Sequence, residues 1–232
     1  YGAAHTGAAD SGMKVGVTLT ANTWYFVYAV VVNYGDDAGD NFILVADSTS
    51  PKTSNWSSLD TAYGAGMWVY LGAFRYGHGG ASTTTMVPFL YDHQGWCHFT
   101  GRAAANNFFG IRVKDSTTVS TTAYVSQWTA DAANSGNAAP DTMSALKLTI
   151  RVEADADDHI NGQIAFGSSI TSILFDGPSF SDNLTGDEAH GWEFKIANGK
   201  GIQLIAKRCP ASTSTEDFLL EAYISAVLDE WV

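Results

Sequence analysis

The segment Trp24 to Val32 constrains the fold most strongly, because nine apolar or aromatic residues follow one another there without interruption. A helix that crosses a bilayer needs about 20 apolar residues, so this segment is too short for one. It consists mainly of β-branched valines and aromatic residues, and both classes favour strands. The segment therefore predicts a strand that is buried on both faces in the core of a folded domain.

The composition indicates a folded and acidic chain. Of the 232 residues, 45% are hydrophobic and 16% are charged, so a large core is expected and global disorder is not. The 24 acidic and 12 basic residues give a net charge of −12. Such a chain repels phosphate backbones and anionic membranes, which argues against nucleic acid and membrane as partners. No signal peptide, transmembrane segment or lipidation motif is recognisable.

Turn-rich stretches divide the chain into about a dozen short segments with strand-like patterns. This arrangement predicts an all-β protein with a β-sandwich or jelly-roll-like fold. A stretch rich in Ala and Asn at 103–107 predicts a joint between two β modules. The first module would span residues 1–104, with an N-terminal arm and a long loop at 48–66. The second would span residues 105–232.

Four local patterns make more specific predictions. The segment Trp24 to Val32 and the later "FILVAD" predict a hairpin around an acidic turn. Residues 145–155 alternate between apolar and polar side chains, which is typical of a strand with one solvated face. The pair Asn198–Gly199 lies between two apolar segments and predicts another hairpin. Residues 218–228 fit both a strand and a helical stripe, and the β context favours a strand.

The chain has two cysteines, Cys97 and Cys209, which could form one long-range bridge or remain as two buried thiols. Cys97 lies close to His93 and His98, so these three residues are candidate metal ligands. On a strand, however, Cys97 and His98 point to opposite faces, and the spacing matches no closed zinc site. We therefore expect an edge strand with ordinary polar residues.

Two acidic clusters carry oxygen atoms of the kind that calcium prefers. They are Asp36, Asp37 and Asp40, and Asp155, Asp157 and Asp158. Neither has the Gly and the terminal Glu of an EF-hand loop, so we expect solvated turns and no metal or other cofactor. The chain also lacks a nucleophile elbow, a zinc-binding His-Glu helix motif and a phosphate-binding loop. A carboxylate pair for glycoside hydrolysis needs only spatial proximity, and no sequence feature selects one.

Three segments, "LTANTWYFVYAVVVNYGDD", "LVADSTSP" and "VYLGAFRYGHGG", resemble a recurrent part of virion proteins of tailed bacteriophages. In that family an Ala-Asn-Thr-Trp-Tyr sequence opens a strand, a Ser/Thr-rich loop reaches a Pro, and a later strand ends in Gly-Ala-Val-Arg. The matching positions, within roughly residues 12–95, are Ala21, Asn22, Thr23, Trp24, Tyr25, Tyr28, Pro51, Leu71, Gly72, Ala73 and Arg75. Here "NWSSLDTAYGAG" stands where the family has a Pro-Ser-Gly-Tyr turn. Tail fibre, head fibre and capsid decoration all stay open as roles.

The resemblance implies a non-enzymatic structural component of a phage particle, which decorates the capsid or forms part of a fibre. It also implies a homotrimer that contacts other virion proteins, such as the major capsid protein or fibre and tail proteins. The protein would be assembled in the host cytoplasm and would lie on the surface of the extracellular particle.

Aromatic residues in and beside the long loop support an alternative, because an aromatic ring offers an apolar face with polar groups nearby. Trp56 and Tyr63 are the candidates for binding a glycan of the host surface. Trp68 and Tyr76 are instead expected to pack in the core or between subunits. A secreted glycan-active enzyme is a third hypothesis, which no particular pair of residues supports.

Overall fold

The computed structural model describes thirteen stretches of the chain. They are residues 12–13, 17–32, 41–51, 68–77, 86–100, 110–130, 139–140, 142–154, 158–167, 173–184, 188–197, 202–210 and 218–229. Within them the protein forms fourteen β-strands and no α-helix, which confirms the all-β prediction. None of these stretches contains a helix that is long and apolar enough to span a membrane.

The strands are β1 (Gly12–Met13), β2 (Thr23–Val32), β3 (Asn41–Asp47), β4 (Trp68–Tyr76), β5 (Phe89–Tyr91), β6 (Trp96–Phe99), β7 (Ile111–Ser116), β8 (Val125–Ala130), β9 (Met143–Ala154), β10 (Asp158–Gly167), β11 (Ile173–Leu184), β12 (Glu188–Ala197), β13 (Ile202–Pro210) and β14 (Phe218–Asp229). They form three sheets. The first sheet has the order β1-β3-β2-β4, and the second has the order β11-β10-β13-β8. The third, six-stranded sheet has the path β12-β9-β14-β6-β5, and β7 also pairs with β14.

The predicted hairpin around the acidic turn is confirmed, because β2 and β3 pair antiparallel from Phe26↔Asp47 to Val32↔Asn41. The prediction that β2 is buried on both faces is wrong in part. Tyr28 and Val30 on its inner face are 0% and 2% exposed, whereas Val27 and Ala29 on its outer face are only half-buried. The inner face packs on the rest of the molecule, whereas the outer face is only partly covered at Val27 and Ala29.

The six-stranded sheet contains both segments that were predicted as strands, β9 from its alternation and β14 from its β context. In β9, Leu146, Leu148, Ile150 and Val152 are fully buried, and the polar residues between them are half-buried. The last segment forms β14, which lies between β9 and the strands β6 and β7. Its inner face is buried up to Ile224 and continues at Val227, after a shift in register between Ile224 and Ala226.

The hairpin predicted at Asn198–Gly199 is wrong. β12 pairs with β9 of the six-stranded sheet, whereas β13 pairs with β10 and β8 of the second sheet. The connection therefore passes from one sheet to the other. Phe180 of β11 lies 4.9 Å from Trp192 of β12 between ring centroids, so aromatic side chains pack across the two sheets. Burial of such large rings contributes more than the local preference of a two-residue turn.

One hydrophobic core includes buried residues from all three sheets, as in layered β architectures. β5 and β6 belong by sequence to the predicted first module, residues 1–104, yet β6 hydrogen-bonds to β14 from Ala226↔His98 to Leu228↔Trp96. Pairing in the six-stranded sheet thus crosses the predicted boundary. The division into modules 1–104 and 105–232 stays a prediction.

Candidate functional site

The turn between β5 and β6 carries His93, and β6 carries the other two candidate metal ligands, Cys97 and His98. The Asp92 carboxylate accepts hydrogen bonds from the backbone N–H groups of Gln94 (2.8 Å) and Trp96 (3.0 Å). Its other oxygen lies 2.8 Å from Nε2 of His98. The hydrogen bond with His98 contributes most to lowering the pKa of Asp92 below its usual value. Asp92 therefore closes the turn and orients His98, while the neighbouring His93 is exposed.

Cys97 lies on the opposite face of β6 from His98, as the strand period predicts. It is a free cysteine with no exposed surface, and burial raises the pKa of its thiol to about 12. His98, in contrast, has a side chain that is 39% exposed. Within the described ranges, no group of three or more His, Cys, Asp or Glu side chains is arranged to hold a metal ion. The structure therefore does not bring His93, Cys97 and His98 together.

The remaining predicted site residues lie outside what the structure describes. Trp56 and Tyr63, the glycan candidates, and Asp36, Asp37 and Asp40 of the first acidic cluster are among them. In the second acidic cluster the side chains of Asp155, Asp157 and Asp158 are also outside it. Hypotheses on these residues stay predictions.

Trp68, which borders the long loop, packs inward as expected. Its ring lies edge-on to that of Tyr28, with 5.5 Å between centroids and an interplanar angle of 90°. It also contacts the main hydrophobic core. An indole held in this way contributes to packing of the first sheet on the core.

A buried carboxylate, Glu221 of β14, forms the centre of an ionic network on the six-stranded sheet. The hydroxyl of Tyr223 donates to it over 2.7 Å, and Nη1 of Arg151 donates over 3.1 Å. Nη1 of Arg112 lies 4.0 Å from the same carboxylate, and Arg151 also pairs with Glu153. These hydrogen bonds and the nearby guanidinium groups offset the cost of burying the carboxylate. The network joins β7, β9 and β14.

The polar residues continue along the outer face of this sheet. Nζ of Lys147 lies 3.6 Å from Glu193 and 5.3 Å from the ring centroid of Trp96. Nζ of Lys195 lies 5.0 Å from the same ring. Both ammonium groups lie over the indole ring, whose negative face attracts a cation. This face is therefore charged and hydrated.

The outer face of the first sheet has the opposite character. We call six of its residues the outer patch: Val27, Ala29, Leu44, Ala46, Val69 and Leu71. Ala29 pairs with Leu44 on one side and with Val69 on the other, and Val27 pairs with Ala46. The side chains of Leu44, Val69 and Leu71 are 41%, 62% and 43% exposed. All six residues are apolar, whereas the solvent-facing side of an antiparallel sheet ordinarily carries polar residues.

The outer patch is bordered at one end by the chain itself. Tyr25, also on the outer face, is 1% exposed because the segment before β2 lies on it. Its hydroxyl accepts from the N–H of Thr20 over 2.7 Å and donates to the carbonyl of Thr18 over 3.1 Å. The Tyr25 ring also stacks on that of Phe74, with 5.6 Å between centroids. The outer face is thus covered at Tyr25 and exposed toward Ala29 and Val69.

Sequence reasoning missed the outer patch, although a signal for it was present. An uninterrupted apolar segment predicts burial of both faces of β2, whereas the outer face is buried at Tyr25 and only half-buried at Val27 and Ala29. An apolar face of a sheet in water favours contact with another apolar surface. The arrangement is therefore suited to binding a protein surface.

No protein-family model matches the chain, and no curated protein matches it in sequence. Among solved structures, it is similar to a chain in the structure of infectious bursal disease virus, Gx strain. The two share 10% sequence identity with a TM-score of 0.33, over 89% of this chain and 53% of the viral chain. The present chain thus spans about half the length of that viral chain.

Proposed function

We propose that this protein is a non-enzymatic structural component of a virus particle, specifically of a tailed bacteriophage, and that it decorates the capsid or forms part of a fibre. The outer patch is the observation that carries the proposal. A component of an assembly needs a surface that forms a stable contact with another protein. An apolar sheet face without charged side chains is such a surface.

The two best-matching segments of the phage resemblance support the proposal, because they form one structural unit. They lie in the neighbouring strands β2 and β4, where Trp24 is directly opposite Arg75 and Phe26 is opposite Ala73. The guanidinium of Arg75 lies over the Trp24 ring, 5.9 Å from its centroid. The residues that carry the resemblance are thus in contact with one another, as expected if they specify the first sheet.

In this proposal the protein forms a homotrimer and contacts other virion proteins, among them the major capsid protein or fibre and tail proteins. It is assembled in the host cytoplasm and lies on the surface of the extracellular particle. A fold built of sheets with one shared core suits a component that must remain folded outside the cell without a cofactor.

The test is to purify virus particles from the source of the sequence on a density gradient and to search each fraction for tryptic peptides of this chain. We expect the peptides to follow the capsid protein through the gradient and through a second gradient after a high-salt wash. Peptides that stay in particle-free fractions would contradict the proposal. Binding of the purified protein to a glycan array, without particle association, would instead favour a free sugar-binding protein.

A further inference from the structure

We infer that the outer patch is the surface through which copies of this chain bind one another. This rests on the homotrimer of the proposed function and assigns its contact surface, on β2, β3 and β4, to binding between copies of the same chain.

The first sheet is apolar on both faces. Tyr28, Val45 and Tyr70 are at most 7% exposed on the inner face. On the outer face, Val69 and Leu71 of β4 are 62% and 43% exposed. A strand with this pattern is typical of a sheet that is covered on both sides. One cover is supplied by the protein's own core, and the second is expected from another molecule.

The net charge of −12 limits where two copies of the chain can meet, because they repel each other over most of their surfaces. Contact between copies is favoured where no like charges meet, and the outer patch contains no charged residue. A basic partner would gain most by binding acidic surface instead. The outer face of the six-stranded sheet is less suited to contact between copies, because it carries the charged residues Lys147, Lys195 and Glu193.

The outer patch reaches an edge of the first sheet. Among the described strands β4 is at this edge, and it carries the exposed Val69 and Leu71 near its beginning. An apolar patch that reaches a sheet edge can approach a symmetry axis, where the same residues of each subunit meet. Contacts of this kind close on themselves, so they give an oligomer of defined size.

The size of the outer patch predicts the strength of the contact. Three strands about 4.8 Å apart and a few residue rows about 7 Å apart cover roughly 200–300 Å². A stable interface buries about 800 Å² on each partner, so the patch would be the apolar centre of a larger contact. We therefore expect association in the micromolar range, with a mass that depends on protein concentration.

The test is light scattering coupled to gel filtration, with the whole chain loaded at about 1 to 300 μM, a range chosen to bracket a micromolar affinity. The monomer mass is 24.7 kDa. The patch variant is Val69→Glu, and Leu44→Glu is a second one in case the first does not fold. The matched control is Leu90→Glu, because Leu90 is 66% exposed but lies on β5, outside the outer patch. Circular dichroism and thermal unfolding verify the fold of each variant.

We expect the wild type and Leu90→Glu to form the same oligomer, and the patch variants to associate at least about tenfold more weakly. Added salt should strengthen the association, since it screens the repulsion between acidic copies and leaves apolar contact intact. A wild type that is monomeric at every concentration would overturn the inference, as would equal weakening by Val69→Glu and Leu90→Glu. A monomer that still co-purifies with particles would refute self-association and the homotrimer, and would leave the association with virus particles intact.

Discussion

The hydroxyl of Tyr70 donates a hydrogen bond of 2.6 Å to Oδ2 of Asp229, a residue 159 positions later in the sequence. Tyr70 belongs to β4 of the first sheet, and Asp229 ends β14 of the six-stranded sheet. Both residues are buried. A hydrogen bond from a buried hydroxyl to a carboxylate is stronger than one between neutral groups. This contact therefore fastens the first sheet to the six-stranded sheet.

Replacement of Tyr70 by Phe should lower the free energy of unfolding by about 1–3 kcal/mol, because it removes a donor from a buried carboxylate. Denaturant unfolding followed by tryptophan fluorescence measures the change. Tyr124→Phe is the control, since the side chain of Tyr124 is exposed, and it should change stability by less than about 0.5 kcal/mol. Equal effects of the two substitutions would contradict a special role for the Tyr70–Asp229 contact.

Stability should fall as the pH rises above about 9. Burial raises the pKa of Cys97 from 9.0 to about 12, and it also raises the pKa values of Tyr70 and Tyr91 above their usual 10.0. The unfolded chain releases these protons first, so the native state binds more protons between the unfolded and the native pKa values. Each group then reduces the free energy of unfolding by about 1.4 kcal/mol per pH unit within its window.

Guanidinium titrations at pH 8, 9.5 and 10.5 measure this decline. Cys97→Ala should reduce the slope first, between pH 9 and 10, because Cys97 has the lowest unfolded pKa of the three groups. Tyr91→Phe should reduce it only above pH 10. Variants whose stability declines in parallel with the wild type over this pH range would show that these groups do not cause the effect.

The buried charge of Arg75 should lower the free energy of unfolding of the protein relative to an apolar side chain of similar size. It is fully buried, its Nε donates to the carbonyl of Gly77 over 3.1 Å, and Nη1 and Nη2 have no hydrogen-bond partner within the described stretches. Burial lowers its pKa to about 10, so it remains charged at neutral pH. Arg75→Met keeps the volume and removes the buried charge, and we expect it to raise the free energy of unfolding by about 1–4 kcal/mol.

The control for this prediction is Arg151→Met, which removes a cation that does have a partner. Arg151 donates to the buried Glu221 over 3.1 Å, so its loss should lower the free energy of unfolding by about 1–3 kcal/mol. Denaturant unfolding compares the two variants. Destabilisation by Arg75→Met to the same extent as by Arg151→Met would refute the prediction.

Gly110→Ala should disrupt the pairing of β7 with β14. Gly110 has a φ of 132°, and a Cβ atom there would lie 2.5 Å from the carbonyl oxygen of Ile224. Backbone strain of this kind costs about 1–3 kcal/mol, and the overlap with a main-chain atom adds to it. Thermal unfolding measures the loss. Gly191→Ala is the control, because its nearest atom would lie 3.5 Å away, and similar effects of the two substitutions would contradict this account.

The sequence predicted those features that depend on a local period. The alternation around Leu148 and Ile150 requires one buried face wherever the strand lies, so β9 could be recognised. For β14 the period fitted a helical stripe as well, and the surrounding β pattern favoured a strand. The opposite faces of Cys97 and His98 also followed from the period alone.

Features that depend on which strands meet could not be predicted. The Asn198–Gly199 pair favours a hairpin, but cross-sheet packing of Phe180 and Trp192 accompanies a connection between sheets. The network around Glu221 was missed because its partner Arg151 lies 70 positions away in the sequence. The outer patch was missed because the apolar segment of β2 predicted burial of both faces, and a run of apolar residues does not show which face the rest of the chain covers.

The position of β14 between β9 and β6 has a consequence for how the protein is made. Strands β5, β6, β7, β9 and β12 leave the ribosome before the strand that joins them. Until Asp229 has emerged, the buried faces of these strands have no common neighbour, and exposed apolar strands at this stage are prone to aggregation. The six-stranded sheet is therefore expected to close only once β14 has emerged, and a nascent chain that stalls before Phe218 should depend on a chaperone to remain soluble.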